Sequence, residues 1–95
     1  MKKLTAIYIP VDGEEEEVQV SQPLSLKHMQ EYVEGYVEAI WHVPDPINNK
    51  YNNRFVMIVN EEGTLQKLPP NPNAIARLGR LIVGNVILMD RKLFV

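Results

Sequence analysis

Near the middle of the chain, Arg54-Phe55-Val56-Met57-Ile58-Val59-Asn60 is apolar at every internal position. Side chains on a strand alternate between two faces. Phe55, Met57 and Val59 therefore take one face, and Val56 and Ile58 the other. A strand that is apolar on both sides has to be roofed on both sides, which places it inside a sheet rather than at its margin. The rest of the chain must supply neighbouring strands and a layer over each face. One short helix cannot easily cover both faces, so a second helix, or a second copy of the chain, has to take the other.

The flanking residues supply these parts. Leu4 to Ile9 is a β-rich run stopped by Pro10, and Val18-Gln19-Val20 reads as its return beyond a turn and the run Glu14 to Glu17. Those four glutamates read as a solvated hairpin arm that also discourages unwanted strand pairing. Ser25 is placed to cap a helix on which Leu26, Met29 and Val33 share one face, with Tyr32 beside them. Gly35 is expected to close that helix in the left-handed conformation. Tyr36 to Val43 alternates again, with Val37, Ala39, Trp41 and Val43 expected in the core. Residues 44–53, rich in Asn and Pro, are expected to form a mobile surface connector.

After the central strand, Asn60-Glu61-Glu62-Gly63 predicts a hairpin turn closed by a positive φ at Gly63, with Thr64-Leu65 starting a return strand. Asn71, Pro72 and Gly79 carry the marks of a short helix: cap, first position and exit. Leu81 to Met89 predicts one strand bulged at Gly84, or two strands on a Gly-Asn turn. Leu93-Phe94-Val95 is expected to add a last short strand. These parts make one α+β domain over residues 1–95, a mostly antiparallel sheet of about four to six strands with two short helices.

Composition narrows function by exclusion. The chain has 95 residues, a net charge of −2 and no cysteine. Disulfide scaffolds, thiolate metal sites and cysteine nucleophiles are therefore excluded. His28 and His42 have no metal-ligand spacing, and no phosphate loop or nucleophile elbow occurs. Neither a cofactor nor a metal is expected. No apolar run approaches the ~20 residues of a membrane span, and no signal peptide is visible. The first half is predominantly acidic and the second predominantly basic. The two halves are expected to pack together and intermix their charges; a basic face from Arg77, Arg80, Arg91 and Lys92 is the alternative. With few aromatics among those cations, nucleic-acid binding is disfavoured.

Several short pieces also resemble a known family. These are Val33-Glu34-Gly35-Tyr36-Val37-Glu38 after the first helix, Asn60-Glu61-Glu62-Gly63, Leu68-Pro69 with Asn71, and Ile82-Val83-Gly84. In this order and spacing, over roughly residues 4–90, the chain resembles the domain-of-unknown-function family 3846, small proteins of phages, prophages and mobile elements. At Glu34 the family usually has the first of two glycines. The resemblance implies a phage-type accessory protein in the cytoplasm of a bacterial host, and no reaction.

The polar residues singled out by that pattern, Tyr36, Glu38, Asn60, Glu61 and Asn71, are the candidate site. Asn and Glu at strand ends and turns can also simply satisfy the backbone. The leading expectation is a non-enzymatic binding protein acting on a host protein or a small polar ligand such as a nucleotide. Two alternatives stand beside it. One is a homo-oligomeric structural or interaction module, motivated by the doubly apolar strand. The other, weaker, is a small hydrolase-like enzyme using Glu38 or Glu61 as a base.

Overall fold

The computed structural model describes residues 2–94. In chain order the elements are β1 (Leu4–Ile9), β2 (Glu16–Val20), α1 (Leu26–Val33), β3 (Val37–Ile40), β4 (Phe55–Asn60), α2 (Pro72–Leu78) and β5 (Val86–Asp90). The strands form one open antiparallel sheet in the order β2-β1-β5-β4-β3. This is the small α+β fold the sequence predicts.

The doubly apolar strand is interior, and its two faces feed two separate cores. Phe55, Met57 and Val59 join Ile7, Ile9, Val86 and Leu88 under Ala74 of α2. Val56 and Ile58 join Ala6, Ile87 and Met89 under Met29 and Val33 of α1. One helix roofs each face, so the second helix rather than a second chain supplies the missing cover. Each helix is too short to persist alone in water. Burial of side chains such as Met29 and Val33, at roughly 1.5–3 kcal/mol each, holds them in place.

Both helix starts follow the sequence. The Ser25 hydroxyl accepts from the His28 amide at 3.1 Å, and the Asn71 side chain accepts from the Ala74 amide at 3.0 Å. The exit from α1 does not. Glu34, not Gly35, takes the left-handed conformation, with φ 66° and ψ 37°. Gly35 is required instead by a close approach. A Cβ there would lie 2.6 Å from Asn60 Nδ2. A side chain held left-handed costs roughly 1 kcal/mol, part of which a glycine returns as backbone entropy. Glu34→Gly is therefore expected to raise the stability by about 0.5–1 kcal/mol, read as a higher urea midpoint with an unchanged slope.

The second half departs from the predicted hairpin. Gly63 has no positive φ. It is buried beneath Val83, whose Cγ2 would lie 2.7 Å from an added Cβ. Residues 61–67 continue as turns, and Thr64-Leu65 starts no strand. The strand that follows β4 in the chain and pairs with it is β5, reached through α2. Leu68 to Asn71 instead runs antiparallel beside Ile82 to Gly84, with a Pro70–Val83 bridge, Asn71 N donating to Ile82 O and Gly84 N donating to Pro69 O. The break at Gly84 separates this ribbon from β5. The expected final strand is a 3-10 turn over Arg91–Leu93 capped by Asp90; Val95 lies outside the described residues.

Beyond β3 the alternation slips. Val37 and Ala39 pack toward α1, but Val43 enters the core under α2. Trp41 is 51% exposed, with its ring edge-to-face against Phe94 at 5.5 Å. The strand ends at Ile40, so strand parity no longer governs Trp41. Residues 44–53 are organised around buried Asp45, which accepts from Ile47 N at 2.8 Å and Asn52 Nδ2 at 3.0 Å. Burial pushes the Asp45 carboxyl up. The Asn52 and Ile47 hydrogen bonds and the charge of Arg54 outweigh that and hold it below the ordinary aspartate range.

Candidate functional site

β3 is an edge strand, and its ladder has a definite phase. The Glu61 amide donates to Tyr36 O at 2.8 Å. In an antiparallel ladder the pairing alternates along the strand. Glu38 and Ile40 therefore turn their amides toward β4, opposite Val59 and Met57. Val37 and Ala39 turn theirs outward, where no strand of the described residues receives them. Tyr36, 67% exposed, and Trp41 stand at the two ends of this free edge.

The opposite edge, β2, is built differently. It exposes Glu16, Glu17 and Gln19, the charged guard typical of edges that must not pair. β3 carries one carboxylate, Glu38.

Beside β3 lies a depression of about 160 Å³, bordered by Glu38, Asn60, Glu61, Thr64, Arg80 and Leu81 among others. Three of the five candidate residues thus border one concavity. Glu38 projects from the edge strand, while Asn60 and Glu61 mark the end of β4. Both carboxylates are exposed.

The other two candidates stand apart. Tyr36 does not line the depression; its carbonyl is used by Glu61 and its ring is in solvent. Asn71 is 0% exposed, and its polar atoms are all engaged inside the fold. Its Nδ2 donates to Ile9 O at 2.9 Å and to Gly84 O at 2.8 Å, while Oδ1 caps α2. Asn60 is also internally engaged, although it borders the depression. At 5% exposure, its Nδ2 lies within 3.1–3.2 Å of Val33 O, Glu34 O and Gln66 Oε1, and Oδ1 accepts from Glu62 N at 2.7 Å.

Thr64, Arg80 and Leu81 also line the depression and lie outside the five candidates. Arg80 appeared only as part of a possible basic face. The four cations of that face border three different depressions, Arg77 beside residues 44–49, Arg80 at β3, and Arg91 and Lys92 beside Arg54. Arg77 is committed to Glu15 in a two-pronged ion pair of 2.7 and 3.0 Å. The hydrogen bond from Arg77 holds the Glu15 carboxyl below its ordinary range, with burial opposing and the guanidinium charge assisting. This pair joins the acidic hairpin arm to α2, as expected of halves that intermix their charges.

A depression of this size is well below the roughly 300–1,000 Å³ of a ligand pocket. It can take a single side chain or a few waters, and a nucleotide is too large. A general base also needs a carboxyl whose acidity is tuned by burial or a close partner. Glu38 and Glu61 border the same depression, and both face solvent.

A family model described as a domain of unknown function (DUF3846) matches residues 1–92. No curated protein and no solved structure matches the chain.

Proposed function

The chain belongs to the DUF3846 family, and from that premise we propose that it is a non-enzymatic binding protein that captures an extended segment of a partner protein along the free edge of β3. In this proposal the partner is a host protein, met in the bacterial cytoplasm by an accessory protein of a phage or mobile element. The observation that carries the reading is the outward-facing, unguarded backbone of Val37 and Ala39, bracketed by two exposed aromatics and bordered by a side-chain-sized polar depression.

The energetics favour this arrangement over a bare edge. Two outward residues offer four backbone groups, worth about 0.5–1.5 kcal/mol net each. Association costs at least ~4 kcal/mol in lost freedom. Backbone pairing alone is therefore marginal. Burial of Tyr36 and Trp41, the residue types that dominate binding hot spots, supplies the surplus. The depression adds selectivity. With Glu38 and Glu61 against one Arg80, it favours a basic or amide side chain from the incoming strand. A second copy of the chain is the other possible occupant of the edge, but a register centred on Glu38 would oppose two like charges.

Peptides selected from a random dodecapeptide library test the reading. They are expected to bind the natural protein and to lose at least about tenfold in affinity against Ala39→Pro. That substitution removes an outward N–H, which an edge strand tolerates. A thermal transition within a few degrees of the parent verifies the fold. Equal binding by the variant, or selected peptides that compete at another face, would refute the proposal. Concentration-dependent dimerisation abolished by Ala39→Pro would reassign the edge to a second copy.

A further inference from the structure

On the α1 face, remote in the strand order from β3, a second concavity of about 330 Å³ is lined by Tyr8, Pro10, Glu14, Glu16, His28 and Tyr32. Its parts arrive from three elements. Tyr8 of β1 is paired directly with Glu16 of β2, so both project to the same side of the sheet. His28 and Tyr32 are four residues apart on α1 and share the helix face above them. Pro10 and Glu14 come from the connection between β1 and β2.

The three rings are held and not stacked. Tyr8 meets Tyr32 at a centroid distance of 4.9 Å and an interplanar angle of 81°, and meets His28 at 5.7 Å and 74°. The Tyr8 hydroxyl lies 2.7 Å from His28 Nε2, which locks two of the rings against each other. In an edge-to-face pair the neighbour covers a face of one ring only, and an uncovered ring face carries the negative end of the quadrupole. The lining carries two carboxylates, Glu14 and Glu16, and no lysine or arginine. Burial raises the Tyr8 phenol above its ordinary value, with the Glu16 charge adding to the effect; the same causes, together with Tyr8, raise Tyr32. Both phenols therefore stay neutral around neutrality, beside a carboxylate whose field reaches them.

We infer that this cleft binds an organic cation, a methylated ammonium group, among the rings of Tyr8, His28 and Tyr32 with Glu14 and Glu16 as counter-charges. A ring face attracts a bulky, weakly hydrated cation, and the carboxylates complete its neutralisation without a tight ion pair. A metal ion would want convergent oxygen or imidazole ligands instead, and His28 Nε2 is already taken by Tyr8. The inference is independent of the β3 edge, which lies at the other margin of the sheet.

The discriminating probe is choline against 3,3-dimethyl-1-butanol, the same shape without the charge. In an NMR titration of the intact chain, choline is expected to shift the ring signals of Tyr8, His28 and Tyr32 saturably. The neutral isostere is expected to bind about tenfold more weakly or worse. Tyr32→Leu should weaken choline by about tenfold and Glu16→Gln by severalfold, each with an unchanged fold by amide spectra. A trimethyl-lysine peptide binding more tightly than choline would assign the cation to a protein side chain; the reverse order would assign it to a free metabolite. Equal binding of choline and its neutral isostere, or no shift of these rings at tens of millimolar choline, would overturn the inference.

Discussion

Replacing Asn71 by aspartate is expected to remove about 4 kcal/mol or more of the fold's stability at neutral pH. The Asn71 side chain ties β1, the Gly84 break and the start of α2 together. Its Nδ2 gives its two protons to Ile9 O and Gly84 O, and its Oδ1 takes the Ala74 amide. Asn71→Ala deletes the cap, worth about 1 kcal/mol, and orphans two buried carbonyls at about 1–3 kcal/mol each. Asn71→Asp keeps the cap but points carboxylate oxygens at those carbonyls in a site with no exposure. A loss of about 4 kcal/mol or more follows, against a total of roughly 5–14 kcal/mol for a chain of 95 residues. The sign of the pH dependence identifies the cause. Burial beside two acceptors raises the folded-state pKa of the new carboxyl, whose protonated form can donate. The stability that it retains is thus fully present below the unfolded value near 4 and is lost as pH rises through the folded value. Urea unfolding of Asn71→Asp at pH 4 and pH 7 should show the acid sample to be the more stable relative to the parent. No difference would mean that the site admits water.

The second large effect is a coupling. Asn60 stitches the end of α1 to the turns after β4, and Gly35 exists to let it do so. Asn60→Ala is expected to cost about 2–4 kcal/mol, because the carbonyls of Val33 and Glu34 and the Glu62 amide lose their partner. Gly35→Ala should cost about 1–3 kcal/mol alone, because its Cβ would displace the Asn60 amide. The three nearest atoms that this Cβ would meet all belong to the Asn60 side chain. In the Asn60→Ala background, Gly35→Ala should then be nearly free, a coupling of about 1–3 kcal/mol in a double-mutant cycle. Additive losses would show that Gly35 is needed for its backbone and not for room.

These two sites explain how much could be read from the residues. Strand parity placed β4 and its two cores correctly, because burial on both faces leaves an unmistakable pattern in Phe55 to Val59. Local cap chemistry placed both helices. What was illegible is what depends on a contact between distant segments. The local rule assigns the left-handed cap to Gly35, but Glu34 takes it, and Gly35 answers to the Asn60 side chain instead. Gly63 looks like a hairpin glycine, yet it answers to Val83. Tyr36 to Val43 alternates well enough to suggest that Trp41 is buried, but the strand ends one residue earlier.

The same contacts reinterpret the family pattern. Gly35 with Asn60, and Leu68 to Asn71 with Gly84, are the pieces that carried the resemblance, and they are fasteners of the fold. That is why the candidate list mixed two structural asparagines with two rim carboxylates. Nothing in the sequence announced that Tyr8 would lie beneath His28 and Tyr32. The edge of β3 was equally hidden, since strand order is a property of the sheet and not of its segments.

The central claim, that β3 offers a free edge to an extended partner, is tested most directly by amide hydrogen exchange at four consecutive residues. In the free protein, Val37 and Ala39 should exchange far faster than Glu38 and Ile40, whose amides are held by β4. Saturation with a library-selected peptide should slow Val37 and Ala39 and leave the other two unchanged. Protection of Val37 and Ala39 in the free monomer, or their indifference to a bound peptide, would contradict the account.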